Sequence, residues 1–163
     1  MLNIELLVEA PAWRKVKDLK SLIERAGRTA IETADIEHMP CAQQTFEVAL
    51  KLSDDAHIQI LNQQFRGKNT PTNVLSFPFE EAFPELTTGP LLLGDLILAH
   101  ETIWREAIEQ NKVLEHHISH LVVHGILHLL GYDHIEDEDA NEMEQLEIDI
   151  LEKLHIPRPY RQA

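Results

Sequence analysis

His124-Gly125-Ile126-Leu127-His128-Leu129-Leu130-Gly131-Tyr132-Asp133-His134 is the stretch that organises this 163-residue chain. With Val122 and Val123 just before it, the stretch predicts a buried helix over about 113–130. His124 and His128 lie four residues apart, hence on one helix face and about 6 Å apart. Their imidazoles can converge on a single ion. Gly131 suits the left-handed residue that ends a helix, and the reversed chain can bring His134 over the first two rings. Three neutral nitrogen ligands with no fourth protein ligand describe a catalytic zinc site whose last position holds water. One zinc ion per chain is therefore expected, on His124, His128 and His134.

The spacing is that of the long metalloprotease motif, H-E-x-x-H-x-x-G-x-x-H, but Gly125 stands where that motif carries its glutamate base. The metal cage is kept and the base is gone. Five histidines (His116, His117, His120, His124 and His128) crowd the helix, and the last four share a stripe. A polar face with a few hydrogen-bonded core histidines would explain one of them. It does not explain this spacing on an apolar helix, where unpartnered imidazoles are costly. His117 and His120 read as packing or ligand-supporting residues. Asp133 either orients a ligand imidazole or caps the final helix. Tyr132 reads as a packing residue, and the acids Glu136 to Asp139 as complements to the positive end of that helix.

A second segment runs Phe65-Arg66-Gly67-Lys68-Asn69-Thr70-Pro71-Thr72-Asn73-Val74-Leu75-Ser76-Phe77-Pro78. It lies where a helix yields to a strand and gathers cations, amides and hydroxyls without an acid. Arg66 is a candidate bidentate phosphate clamp. Lys68, Asn73 and Ser76 are candidate substrate-binding groups beside it. An ordinary turn, with arginine bonded to carbonyls, is the plainer alternative. Gly94-Asp95 interrupts an apolar run, so Asp95 is expected to be buried and paired. It would touch a ligand histidine or satisfy neighbouring backbone.

The rest of the chain reads as one domain over 1–163 with a tail from about 156. Alternating residues predict strands at Leu2–Glu9, over Phe46 to Leu52 and at Val74–Phe79, and a central strand at Leu91–His100. Helices are expected from Pro11 to about Ala34, from Asp54 or Asp55 to near Gly67, at Thr102–Gln110, over 113–130 and over about Asp137–Leu154. The inner stripe of the last helix is Met143, Leu146, Ile150 and Leu154. The order β-α-β-α-β-β-α-α-α implies an α+β fold, a small mixed four-stranded sheet covered by about five helices. Apolar residues make up 44% and charged ones 26%, as in ordinary globular proteins. No apolar run spans a bilayer, Met1 to Glu5 lack signal-peptide character, and Cys41 is alone; a cytoplasmic location without membrane contact is expected.

The formal net charge of −14 argues against a free nucleic-acid binder. It is unevenly spread. Arg14, Lys15, Lys17, Lys20, Arg25 and Arg28 cluster, whereas 113–152 holds no lysine or arginine.

With these segments in hand, the chain closely resembles the YbeY family of bacterial zinc-dependent endoribonucleases over nearly its whole length. The resemblance rests on His124 to His134, on Thr72-Asn73-Val74-Leu75-Ser76-Phe77-Pro78, on Leu93-Gly94-Asp95-Leu96 and on Arg66. It implies zinc on His124, His128 and His134, and an Arg66 that contacts RNA phosphate. It further implies action on single-stranded RNA, in 3′-end maturation of small-subunit (16S) ribosomal RNA and in ribosome quality control. Partners would be the small ribosomal subunit and assembly factors, with no DNA expected. Asn73 departs from the aspartate that many relatives carry, which disfavours a base there. Whether water or the RNA 2′-OH attacks, and whether His120 or Asp133 assists, stays open. Two rivals remain: a non-catalytic assembly factor whose zinc pins the last helices, and a metallopeptidase with its base elsewhere.

Overall fold

A computed structural model describes residues 2–34, 45–79, 90–132 and 137–157. Four strands, β1 (Leu2–Val8), β2 (Phe46–Ser53), β3 (Val74–Pro78) and β4 (Leu91–Ala99), form one sheet in the order β1-β2-β4-β3. β1, β2 and β4 run parallel, and β3 pairs antiparallel with β4 as an edge strand. The helices are α1 (Leu19–Thr33), α2 (Asp55–Arg66), α3 (His100–Glu109), α4 (Leu114–Leu129) and α5 (Asp137–Lys153). Among the described residues, the expected α+β arrangement of a mixed four-stranded sheet and five helices is what forms.

One face of the sheet carries the main core. Phe46, Val48, Leu50 and Leu52 of β2 and Leu91, Leu93, Leu96 and Leu98 of β4 bury with residues of α1, α4 and α5. The other face holds a smaller cluster of Ile58, Leu75, Ile97 and Ala99, with Leu61 and Phe77 against it. That second cluster lies under α2.

Two expectations need correction. The helix foreseen from Pro11 to Ala34 is broken: a 3-10 turn covers Pro11–Lys15, Val16 is extended, and Asp18 is left-handed at φ 54° before α1 starts. The turn is held down by Trp13, which is fully buried. Its indole N–H donates to the Ser53 carbonyl at 2.8 Å and its ring meets Trp104 edge-on at 5.0 Å. Anchoring that side chain on the end of β2 wins over helix continuity. Asp95, expected to be buried, is exposed. A β-bulge is the reason: Glu47 pairs with Leu92 but Val48 with Gly94. The extra residue flips the alternation of β4, so Leu96 and Leu98 continue the buried face and Asp95 points away from it.

α2 behaves as its sequence predicts. The Asp54 carboxylate accepts from the His57 N–H at 2.8 Å as an N-cap, and Gly67 closes the helix at φ 70°.

Trp13→Phe should lower stability by about 2 kcal/mol in urea unfolding, because the Ser53 carbonyl loses its buried donor and packing volume is removed.

Candidate metal centre

α4 lies along the sheet with Gly125 against it. A Cβ at Gly125 would stand 2.7 Å from Leu96 Cδ2 and 3.4 Å from Ser76 Oγ, and the Ser76 hydroxyl donates to the Gly125 carbonyl at 3.3 Å. The position where a metalloprotease carries glutamate is thus a packing contact. α4 ends in a Schellman motif: Tyr132 N–H donates to Leu127 O and Gly131 N–H to His128 O, both at 3.0 Å, with Gly131 at φ 99°.

This turn fixes the first imidazole. His128 Nδ1 lies 3.0 Å from the Tyr132 carbonyl oxygen. A carbonyl only accepts, so Nδ1 carries the proton and Nε2 is left with its lone pair. The second imidazole is fixed from α5. Glu147 is fully buried, with Oε1 against His124 Nδ1 and Oε2 3.0 Å from His120 Nε2. A carboxylate also only accepts, so both facing ring nitrogens donate. Burial pushes the Glu147 carboxyl up, but hydrogen bonds from His120 and His124, with their charges, outweigh it and bring it to about 2. His120 is driven the other way: burial lowers its pKa, and Glu147 offsets only part of that.

The consequence is a pair of nitrogens, His124 Nε2 and His128 Nε2, facing each other 3.0 Å apart. With both Nδ1 atoms protonated, two lone pairs meet. That is the arrangement two imidazole ligands of one cation present. Two nitrogens on one tetrahedral zinc, each at about 2.0–2.1 Å, would be about 3.3 Å apart, close to this spacing. His120, His124 and Glu147 also form a group of ligand-type atoms within 4.8 Å that could hold a metal ion. Its carboxylate contacts are, however, those of matched hydrogen bonds, so this group better serves to orient His124.

The Nε2 pair opens into a cleft of about 610 Å³ between β3 and α4, reached also by Arg66, Asn73, Ser76 and Tyr132. The two segments singled out in the sequence therefore meet. Lys68 is exposed two residues beyond Arg66 but is not part of the cleft wall. Asn73 reaches the cleft, yet its side chain is engaged. Its amide donates to Glu106 at 3.0 Å, and its Oδ1 accepts from Val74 N–H at 2.7 Å. Glu106 in turn accepts from buried His117 at 2.9 Å. Burial raises the Glu106 pKa, but the bonds from His117 and Asn73 and the charges of His117 and Arg105 outweigh it, leaving it lowered. Asp95 is exposed on the other sheet face, away from these histidines. His134, Asp133, Glu136, Cys41 and the loop 80–89 lie outside the described residues.

Comparison with known proteins bears directly on this centre. A sequence model of the family described as Endoribonuclease YbeY matches residues 12–155. The chain belongs to the YbeY family. Among its relatives, proteins named Endoribonuclease YbeY from Bradyrhizobium diazoefficiens and Parvibaculum lavamentivorans are each 48% identical. The first match covers 96% of this chain and 84% of the relative, the second 98% and 85%. A namesake from Rhizobium meliloti is 44% identical, covering 98% of this chain and 95% of its own. A solution structure of a Thermotoga maritima protein superposes with a TM-score of 0.52 at 25% identity, over 98% of this chain and all of the other. No helix among the described residues is long and apolar enough to cross a membrane.

Glu147 was hidden from sequence reasoning. The expected stripe of α5 ran through Leu146, which is only half-buried, whereas Met143, Glu147, Ile150 and Leu154 form the buried line. An acid at helical spacing between apolar residues was the available signal.

Glu147→Gln should weaken zinc affinity by about 10- to 100-fold in competition with a chromophoric chelator, since one imidazole loses its acceptor. The metal-free proteins should also part in acid. A depressed carboxyl pKa contributes stability that is complete above the ordinary 4.5 and lost as pH falls toward about 2. Unfolding followed by circular dichroism should show that slope in the wild type and a flatter one in Glu147→Gln.

Proposed function

We propose that this chain is a metal-dependent endoribonuclease that cleaves single-stranded RNA in the cleft between β3 and α4. The observation that carries the reading is the composition of that cleft. In a chain of net charge −14, none of its described lining residues is acidic, and it joins an arginine to the converging Nε2 atoms. Such a place suits a phosphodiester and little else on this surface. The names of the relatives fit the same chemistry.

The residues that would hold the ion are His124, His128 and His134, and zinc suits three neutral imidazoles with an open position. Zinc held there supplies Lewis acidity, polarising a phosphoryl oxygen and acidifying water. The remaining work belongs to the chain. Arg66 grips the phosphate as charge grows on it, and the Ser76 hydroxyl lies on the wall nearby. Asn73 serves this reading as a positioning residue, because its amide is spent on Glu106. Glu147 and the Tyr132 carbonyl keep both facing nitrogens deprotonated. His120 stands behind Glu147 and supports rather than reacts. Among the described residues no carboxylate lines the cleft, and water and the RNA 2′-OH are the candidate nucleophiles.

In this reading the chain is a single catalytic unit acting in the cytoplasm. It trims the 3′ end of small-subunit ribosomal RNA and takes part in ribosome quality control, with the small subunit and assembly factors as partners. The acidic surface favours one other reading, a non-catalytic factor docked on basic ribosomal proteins. Gly125, flush on the sheet, speaks against the peptidase.

Metal-replete protein should cut a single-stranded RNA oligonucleotide, and Arg66→Glu and His128→Ala should each reduce the rate by about 100-fold or more. Undiminished cleavage by both variants would overturn the proposal, and no cleavage by the wild type would favour the docking factor. Gly125→Glu should cost about 1–3 kcal/mol in stability, measured by thermal melting, and confer no peptide hydrolysis.

A further inference from the structure

Three of the five phenylalanines in the sequence, Phe65, Phe77 and Phe79, gather at one edge of the sheet. Phe65, in the last turn of α2, is 65% exposed, and Phe79 is 49% exposed. The Phe65 ring meets Phe77 edge-on, with centroids 5.0 Å apart and planes at 65°. The contact is T-shaped, and at 65% exposure most of the Phe65 side chain stays open to solvent. Phe77 is half-buried on β3 between Ser76 and Pro78, both of which line the cleft. Phe79 follows on the same side two residues on, its N–H still bonded to Leu93 O at 3.0 Å. Arg66, the residue after Phe65, reaches the cleft itself. A largely exposed aromatic ring thus stands one edge strand away from the phosphate site.

We infer that Phe65 is a base-stacking residue: a nucleobase of the single-stranded RNA, next to the phosphate held by Arg66, folds over β3 and lies on its ring. The inference rests on the endoribonuclease reading above. Two considerations select a nucleobase as the occupant. Unstacked bases of single-stranded RNA are bound by aromatic faces, and an arginine beside the ring supplies the matching phosphate contact. Further, a chain with net charge −14 gains little from general phosphate attraction, so its affinity must come largely from contacts that salt does not screen. A lone exposed phenylalanine would need no explanation. One held in a T-shaped contact beside the only arginine of the described cleft wall, where no described residue is acidic, has the form of a platform.

The test uses the full, zinc-loaded chain and a fluorescein-labelled single-stranded RNA oligonucleotide. Phe65→Ala and Phe65→Leu should raise KM and Kd by about 5- to 150-fold, while Phe65→Trp and Phe65→Tyr stay near the wild type. Leucine keeps the apolar contact with Phe77 but has no stacking face, so it separates stacking from packing. Melting curves establish that each variant is folded. The slope of log affinity against log salt should be unchanged in Phe65→Ala and flatter by about 0.7 in Arg66→Gln. In a scan of single abasic sites, one site should cost the wild type what Phe65→Ala costs, and cost the variant nothing more. If the wild type cuts RNA but Phe65→Leu binds it as tightly, the platform is overturned while the endoribonuclease reading stands; the same holds if only a ribosomal protein contact is lost. If the wild type cuts no RNA, both fail.

Discussion

A buried carboxylate between two imidazoles is the contact on which the centre depends. Glu147 projects from α5 into the stripe of α4 histidines and accepts from His120 and His124 at once. An unpaired carboxylate at zero exposure would be costly, and so would two bare imidazoles beside it; together they satisfy one another. The same contact docks the last helix on the sheet-packed helix and decides which nitrogen of His124 faces His128. Fold and chemistry meet in one side chain.

Much of the architecture was legible because its signals are local. Alternation in Phe46 to Leu52, the Asp54 cap, Gly67 and Gly131 each act within a few residues, and each element forms where expected. The failures are long-range. Nothing near Asp18 announces that Trp13 will be claimed by Ser53, forty residues away. Nothing in Leu91-Leu92-Leu93-Gly94-Asp95 states that pairing with β2 will slip by one residue and turn Asp95 outward. Spacing and residue type drew attention to His124, His128 and Arg66, which line one cleft. They pointed to neither Glu147 nor the Tyr132 carbonyl, since one lies on a different helix and the other is main chain.

Gly125 shows how a motif can be kept while its chemistry changes. Two histidines at helical spacing place two rings on one face in any such helix. What lies between them is set by what the helix packs against. Here α4 presses on Leu96 and Ser76, so the floor of the cleft is backbone and hydroxyl. A carboxylate there would clash with the sheet and would repel a polyanion. The departure from the protease pattern and the absence of acid from the described cleft wall are two results of one close approach.

The two facing imidazoles are braced by supports of unlike kind. His124 leans on a side chain, which protonation in strong acid or a single codon change can remove. His128 leans on a peptide oxygen, which neither titrates nor depends on the identity of the residue that bears it. That support is main chain, whichever side chain position 132 carries. The fragility sits one residue earlier, at Gly131, whose φ of 99° aims the oxygen. Half of the centre is thus written in side-chain chemistry and half in the trajectory of the backbone.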